Sequence, residues 1–389
     1  MEEASPDPRA TAAPRRLTAL EPALAALARC LPGPVAPRHV ATAHAASWPQ
    51  AVLARSLVAA APLPPAPQAR RDGWAVAAQD TFGASPQAPV PLPGPPHGVA
   101  TGDLLPQGTD AVLGPFDIAR EFGIAQAIQA AAPGDGARGA GEDFGAGATL
   151  RAAGDVLRAT DLAVLAHWGL GEIPLRVVRI GWIAVGDEIV ATPARDRTGP
   201  MLAAFAARAG AEFTALAALP DRQDAIAAGL RAASPHHDLL LLGGGTGDGP
   251  QDRSAAGLAA AGALMVHGIG MRPGTSAGFG HVGTCPVLLV PGNPEDALAA
   301  WVVLARPALD ALTAALPRPA RRVRLARKLA SAVGIAELAA LAIDADGGAT
   351  PLAVGALPLA SLTAADGFVL VPAGAEGYEA GTTLPLAPI

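Results

Sequence analysis

The sequence is short of aromatic side chains, of cysteine and of positive charge, and each shortage excludes something. Aromatic residues make up 4% of the 389 positions, so helices must pack closely through small side chains, alanine above all. The two cysteines, Cys30 and Cys285, form no C-x-x-C pair and no metal spacing, and read as isolated small core residues. A net charge of −6 argues against a partner such as nucleic acid, although a local cluster of arginines and backbone amides can still hold a phosphate. No run of 18 apolar residues escapes interruption by charge, proline or glycine, so no membrane span is expected. The opening MEEASPDPRATAAPRR has no apolar h-region of a signal peptide, and a cytoplasmic protein is expected. The eight histidines form no H-E-x-x-H, and no repeat of solenoid period is present.

What the chain has is length and apolar content. It exceeds one ordinary domain, predicting two to four, and 51% apolar residues suffice for real cores. Residues 1–16 read as a disordered leader. Residues 18–31 carry apolar side chains at helical spacing, and a second helix is predicted over 48–61. Prolines then hold 68–72 in an extended crossing segment. Residues 76–136 lack a long helical period and predict strands. A helix is expected over 160–168, with Thr160 as its N-cap. From 173 onward a buried strand ends at Gly186, followed by a helix over 200–208, a strand over 212–218 and a helix over 222–233. A final helix is expected over 294–315. Strands alternating with helices predict right-handed crossovers and a mostly parallel sheet in an α/β domain. After the basic stretch PRPARRVRLARK, short apolar pieces between glycine and proline turns predict a compact β domain.

Three segments stand out: DLLLLGGGTGDGPQD (238–252), MRPGTSAGFG (271–280) and LVPGNPEDA (289–297). The apolar runs 239–242 and 287–290 each stop at a glycine turn followed by a helical pattern, and such loops build the crevice of an α/β sheet. Gly243, Gly244, Gly245, Gly247 and Gly249 would let backbone N–H groups approach an anion. A tight strand–helix turn explains the same glycines equally well. Asp248 and Asp252 supply carboxylates that suit Mg²⁺. The loop is no P-loop, since no Gly-Lys-Ser/Thr follows, and Asp248 or Pro250 occupies the third glycine position of a dinucleotide fingerprint. The PGNP turn sets Asn293 as a helix cap, Pro294 at the first helical position, and Glu295 and Asp296 in the first turn.

In this order and spacing the three segments resemble the molybdopterin molybdenumtransferase family, whose members insert molybdenum into adenylylated molybdopterin. The resemblance runs from about Leu17 to the end. It takes in Asp72-Gly73-Trp74-Ala75-Val76, Thr101-Gly102 within VATGDLLPQGTDAVL, Arg138 with Gly141-Glu142-Asp143, and Gly186-Asp187-Glu188. It implies a multi-domain α/β plus β fold. An extended linking domain would comprise 17–67 and 137–172, and a small β-rich domain 68–136. A three-layer α/β molybdopterin-binding domain would follow over 173–318, and a C-terminal β-barrel-like domain over 319–389. It also implies an elongated homodimer with its active site between the α/β domain of one subunit and the small β domain of the other. A recipient molybdoenzyme is a possible further partner.

The resemblance carries over residue by residue. Asp72, Asp187, Glu188 and Asp252 fall at catalytic positions, and the last three would hold Mg²⁺ or another divalent cation against a phosphate. Thr101, the backbone of Gly243, Gly244, Gly245, Thr246 and Gly247, and Pro291, Asn293 and Pro294 would face adenylylated molybdopterin. Molybdate is an oxyanion and wants cationic or amide donors, for which Arg272 and Ser276 are the candidates. Asp187 capping its own turn, and Asp221 as an N-cap rather than a further family acid, are the plain structural readings. Two loops depart from the family pattern. Ala69-Arg70-Arg71 replaces small and sulfur-containing residues, and Arg272 and Thr275 stand where lysines flank the Pro-Gly. Alternation along an extended segment predicts one of Arg70 and Arg71 pointing into the pocket, restoring charge. Two other functions stay open: a non-catalytic paralogue that delivers molybdopterin or mature cofactor to an enzyme, and a molybdopterin adenylyltransferase.

Overall fold

Leu239, Leu240, Leu241 and Leu242 are all buried, the odd-numbered pair in one apolar core and the even-numbered pair in another. A strand with two buried faces belongs in the middle of a sheet covered on both sides. The computed structural model, which describes residues 16–48 and 50–387, places it there. The leader expected over 1–16 lies outside the described residues except for Arg16.

The chain divides into two compact units, one of Met1–Arg55, Ala153–Ala166 and Leu170–Ile389, the other of Ser56–Ala152 and His167–Gly169. The larger unit is built on a six-stranded sheet of β1 (Arg179–Ala184), β2 (Glu212–Ala215), β3 (Leu239–Gly243), β4 (Ala263–His267), β5 (Gly278–Val282) and β6 (Cys285–Val290). The spatial order is β2-β1-β3-β6-β5-β4. The first four in that order run parallel, while β5 and β4 complete the sheet antiparallel. Helices around it include α1 (Leu20–Cys30), α2 (Asp187–Ala191), α3 (Gly199–Arg208), α4 (Gln223–Ala233), α5 (Ser254–Ala261) and α6 (Pro294–Ala300). Leu20, Ala23 and Leu27 of α1 and Leu202 and Ala206 of α3 pack with Trp182 and Leu241 on one face. Ile226 and Leu230 of α4 and Leu258 of α5 cover the other with Leu240 and Leu242. Cys285 sits in that second core, where burial pushes its thiol up to about 12.

Beyond this sheet, Ala336–Ile343 pairs with Ile269–Arg272, Gly348–Val354 and Gly367–Val371. Arg321–Leu325 lies between Gly348–Val354 and Thr383–Leu386, and a bridge from Phe368 to Ala387 returns the ladder to Gly367–Val371. Val323, Leu341, Val369 and Leu384 fill the space inside.

In the smaller unit Gly73–Val76 is the centre of an antiparallel sheet with His97–Val99 and Ala111–Leu113. Gly73 must be glycine, because a Cβ there would lie 1.9 Å from the Leu113 carbonyl oxygen. Val76, Ala111, Leu113 and Ala127 form its core. The chain enters and leaves this unit side by side: Leu57–Val58 pairs antiparallel with Thr149–Arg151. Further along both legs, in the larger unit, Leu53 donates its N–H to the Asp155 carbonyl and accepts the Gly154 N–H, and Val52 bridges Val156.

Several local expectations are corrected. The helix expected over 48–61 is extended chain: Val52–Leu53 pairs with Glu172–Arg176, so long-range ladder bonds override an alanine-rich local preference. The single strand expected from 173 to Gly186 is two. Glu172–Arg176 pairs antiparallel with Arg38–Ala41 and Val52–Leu53, and only at Arg179 does the chain join the main sheet. The last helix is α6, a π turn over Trp301–Ala305 and a helix over Arg306–Thr313. Among the described residues no helix is long and apolar enough to cross a membrane.

Candidate active site

Register puts Ala184, Gly243 and Val290 side by side, so the loops that follow β1, β3 and β6 open at one level. They line a cavity of about 730 Å³. The glycine loop turns at once, with Gly244 and Gly245 in the left-handed region at φ 92° and 58°. Gly243 is required for a different reason: a Cβ there would stand 1.8 Å from the Trp182 ring. That indole, 2% exposed, floors the cavity and donates its Nε1–H to Asp196 at 2.6 Å.

The loop is braced from several sides. The Gly244 N–H donates to the Val290 carbonyl at 3.0 Å, so it is committed to the fold and is not the anion donor expected of it. Ser254 Oγ donates to the Gly244 carbonyl at 2.6 Å. The hydroxyls of Thr246 and Ser276 stand 3.0 Å apart, and His267 Nε2 lies 2.9 Å from the Thr246 carbonyl. Gly245, Thr246, Gly247 and Ser276 line the cavity with Gly243.

Four carboxylates gather at the strand ends. Asp187 opens α2 directly after β1, and its N–H donates to Asp221 Oδ2 at 3.0 Å while the Asp221 N–H reaches back to Asp187 Oδ1 at 3.4 Å. Asp221 is therefore no side-chain cap of α4 but half of a clasp between two loops. Glu188 folds over Gly186, where a Cβ would lie 2.6 Å from Glu188 Oε1. Asp252 Oδ2 accepts the Gly249 N–H at 2.7 Å, closing its own loop. Glu188, Asp221 and Asp252 all line the cavity. Burial pushes the Asp221 carboxyl up, and the negative Asp187, Glu188 and Asp252 push it further. Such crowding suits a hard cation. Among the described residues no group of three or more His, Cys, Asp or Glu is placed to hold a metal ion.

Pro291, Asn293 and Pro294 line the cavity. Asn293 occupies the N-cap position of α6 through its backbone, whose carbonyl accepts the Ala297 N–H at 2.9 Å. Its side chain caps nothing and donates instead to Asp296 Oδ2 at 3.3 Å. Asp296 Oδ1 accepts the Gly274 N–H at 2.6 Å, tying the 272–276 loop to the helix start. Arg272 lines, with Thr275, an adjoining cavity of about 420 Å³ that shares Asp296 with the one at the glycine loop.

In the smaller unit Asp72 and Thr101 do come together. Asp72 Oδ1 accepts the Thr101 N–H at 2.7 Å and its hydroxyl at 3.0 Å, and these bonds hold the exposed carboxyl below the usual carboxylate range. The pairing of Gly73 with Val99 sets this contact. The two arginines before Asp72 have partners within the smaller unit. Arg70 pairs with Glu142, and Arg71 donates from Nη2 to the Val112 carbonyl at 2.5 Å.

Sequence reasoning missed the segment 192–198. Asp196 turns inward to Trp182 and accepts the Gly199 N–H at 2.8 Å, while Thr198 Oγ1 donates to the Gly292 carbonyl at 2.8 Å. Arg195 and Arg197, on either side of Asp196, line the cavity. The available signal was an aspartate three residues before a Gly-Pro helix start, bracketed by two arginines.

The chain matches, in order, the family models for the MoeA N-terminal region (domain I and II) over residues 18–169, the probable molybdopterin binding domain over 181–311, and the MoeA C-terminal region (domain IV) over 322–389. It is 32% identical over 375 residues to molybdopterin molybdenumtransferase 2 of Mycobacterium tuberculosis, covering 86% of this chain and 91% of that protein. It is 30% identical over 293 residues to the molybdopterin molybdenumtransferase of Synechococcus elongatus, covering 67% of this chain and 72% of that one. The molybdopterin biosynthesis moeA protein of Pyrococcus horikoshii has the same fold, with a TM-score of 0.74 at 24% identity over 95% of this chain and 99% of that one. Three strand-end loops meeting at one cavity, three domain models in register along the chain and a relative matched over nearly its full length place this protein in the molybdopterin molybdenumtransferase family.

Proposed function

We propose that this chain carries out the molybdenum-insertion step of molybdenum cofactor biosynthesis. It binds adenylylated molybdopterin, accepts molybdate and releases AMP. The observation that carries this reading is the meeting of three strand-end loops at one level, with glycine backbone and the carboxylates of Glu188, Asp221 and Asp252 around one cavity. A pyrophosphate-bearing ligand needs close backbone approach, which the left-handed turn at Gly244 and Gly245 allows.

One or two of Asp187, Glu188 and Asp252 would hold a divalent cation whose remaining shell is water and phosphate, with Asp221 clasped to Asp187 beside them. When bound, the cation supplies neutralisation of the charge that develops as the phosphate departs. The chain's own part is positioning. The Asp187–Asp221 clasp fixes two loops, Trp182 and Asp196 fix a third, and Asp296 holds the 272–276 loop against the start of α6. Molybdate, as substrate, would be met by Ser276 in this cavity and by Arg272 and Thr275 in the next. The protein is proposed to act as a homodimer in the cytoplasm.

The test is incubation of the full chain with adenylylated molybdopterin, Mg²⁺ and molybdate. AMP release that rises with molybdate supports the assignment. Tight binding with no turnover would move the protein to the carrier class.

A further inference from the structure

The cavity at the glycine loop is rich in carboxylates, yet its proposed substrate is an anion, and a divalent cation engaged by those carboxylates leaves phosphate oxygens for cationic side chains to hold. Lysine does not supply them. The sequence holds a single lysine, Lys328, which pairs with Glu379. Arg272 lines the neighbouring cavity, while Arg70 and Arg71 are engaged by Glu142 and the Val112 carbonyl. Among the described residues lining the glycine-loop cavity, the cationic side chains are those of Arg195 and Arg197.

Their backbone is held firmly. Asp196 between them is turned inward by three hydrogen bonds, from Trp182 Nε1, the Thr198 N–H and the Gly199 N–H. Thr198 in turn is buried and anchored to the Gly292 carbonyl of the loop after β6. With Asp196 facing in, the residues flanking it are left to the cavity side. Among the described residues neither guanidinium makes an ion pair or hydrogen bond with the protein, so stability gives no account of them. Two planar forks on a fixed segment match phosphate oxygens bidentately, which a mobile ammonium does not.

We propose that Arg195 and Arg197 are the residues that hold the phosphate groups of the substrate in this cavity, replacing with a pair from the 192–198 segment the lysine charge missing from the 272–275 loop. The inference rests on the proposed substrate class and adds the residues that select it. It also places the phosphate-binding cations on the segment after α2, in the cavity next to that of Arg272.

Calorimetric titration of the full chain with inorganic pyrophosphate in the presence of Mg²⁺ tests it. Arg195→Ala and Arg197→Ala should each weaken binding roughly tenfold, and the double variant roughly a hundredfold, as the loss of charge-assisted hydrogen bonds predicts. Arg208→Ala, which removes the same charge from the exposed end of α3, should bind as the parent does. All four should melt with the parent, since the arginines are exposed. Should the double alanine variant melt lower, the paired Arg→Gln replacements carry the same expectation. Unchanged affinity in the double variant, or no pyrophosphate binding by the parent, overturns the inference. The proposed function is read separately: molybdate-dependent AMP release by the parent stands even if the arginines prove neutral. Arginine-dependent pyrophosphate binding without any AMP release would sustain the site and remove the reaction.

Discussion

Asp221 carries a charge that its surroundings oppose. Burial and the neighbouring Asp187, Glu188 and Asp252 raise its carboxyl, so the folded protein keeps that proton to a higher pH than the unfolded chain does. Between the ordinary carboxylate range and the raised value the folded state therefore binds more protons, and stability falls as pH rises through that window. Asp221→Asn removes the penalty while leaving an oxygen to accept the Asp187 N–H. The variant should melt above the parent at neutral pH without divalent cation, and should lose most of any rise in melting temperature that Mg²⁺ gives the parent. Scanning calorimetry with and without Mg²⁺ decides this, and an unchanged or lower melting temperature in its absence would contradict the account. The three acids around it act differently. Asp187→Asn, Glu188→Gln and Asp252→Asn should each reduce molybdate-dependent AMP release on the order of a hundredfold or more, with a smaller change in affinity for adenylylated molybdopterin, because their charge matters most as the phosphate departs. Any of the three that kept full turnover would be removed from the chemistry.

The end of β3 shows how one element serves two purposes. Gly243 lies against Trp182, and Gly244 and Gly245 then take left-handed turns that open the cavity. Gly243→Ala must displace the indole or the strand end, and should destabilise the protein by about 1–3 kcal/mol through overpacking. Denaturant unfolding monitored by tryptophan fluorescence would show it, and a neutral result would mean that the indole can move. Much of this element was legible in the sequence, because four leucines followed by glycines leave few alternatives to a buried strand and a tight turn. The acids at 187, 188 and 252 came from the resemblance to the family, and the structure sets Asp187 at the start of α2 and Glu188 and Asp252 in the lining of the cavity. The segment 48–61 was not legible, since its alanines and leucines favour a helix locally while the winning interactions come from Glu172–Arg176, more than a hundred residues away in the chain. Arg195 and Arg197 were illegible for a related reason: their role comes from the inward turn of Asp196 toward Trp182, and no local pattern announces that contact. Arg70 and Arg71 drew attention because they broke a motif, yet they answer to Glu142 and Val112.

At the scale of the whole molecule the proposed homodimer has a direct check. Sedimentation at micromolar concentration should give a species of twice the 38.6 kDa chain mass, and a monomer would count against it. A different consequence follows from the paired legs by which the chain enters and leaves the smaller unit. Val58 stands across from Thr149, so the start and finish of some ninety intervening residues are already neighbours on a ladder. In evolutionary terms the paired legs give this unit the geometry of a cassette, whose removal would not re-route the chain that carries it. Bringing together ends that already meet costs little entropy. Replacing residues 59–148 with an Asn-Gly turn, which closes two antiparallel legs in two residues, should leave a cooperatively folding protein that keeps its pyrophosphate affinity while losing AMP release. Collapse of the shortened chain into an unfolded or aggregated form would show that the cassette has become indispensable to its host.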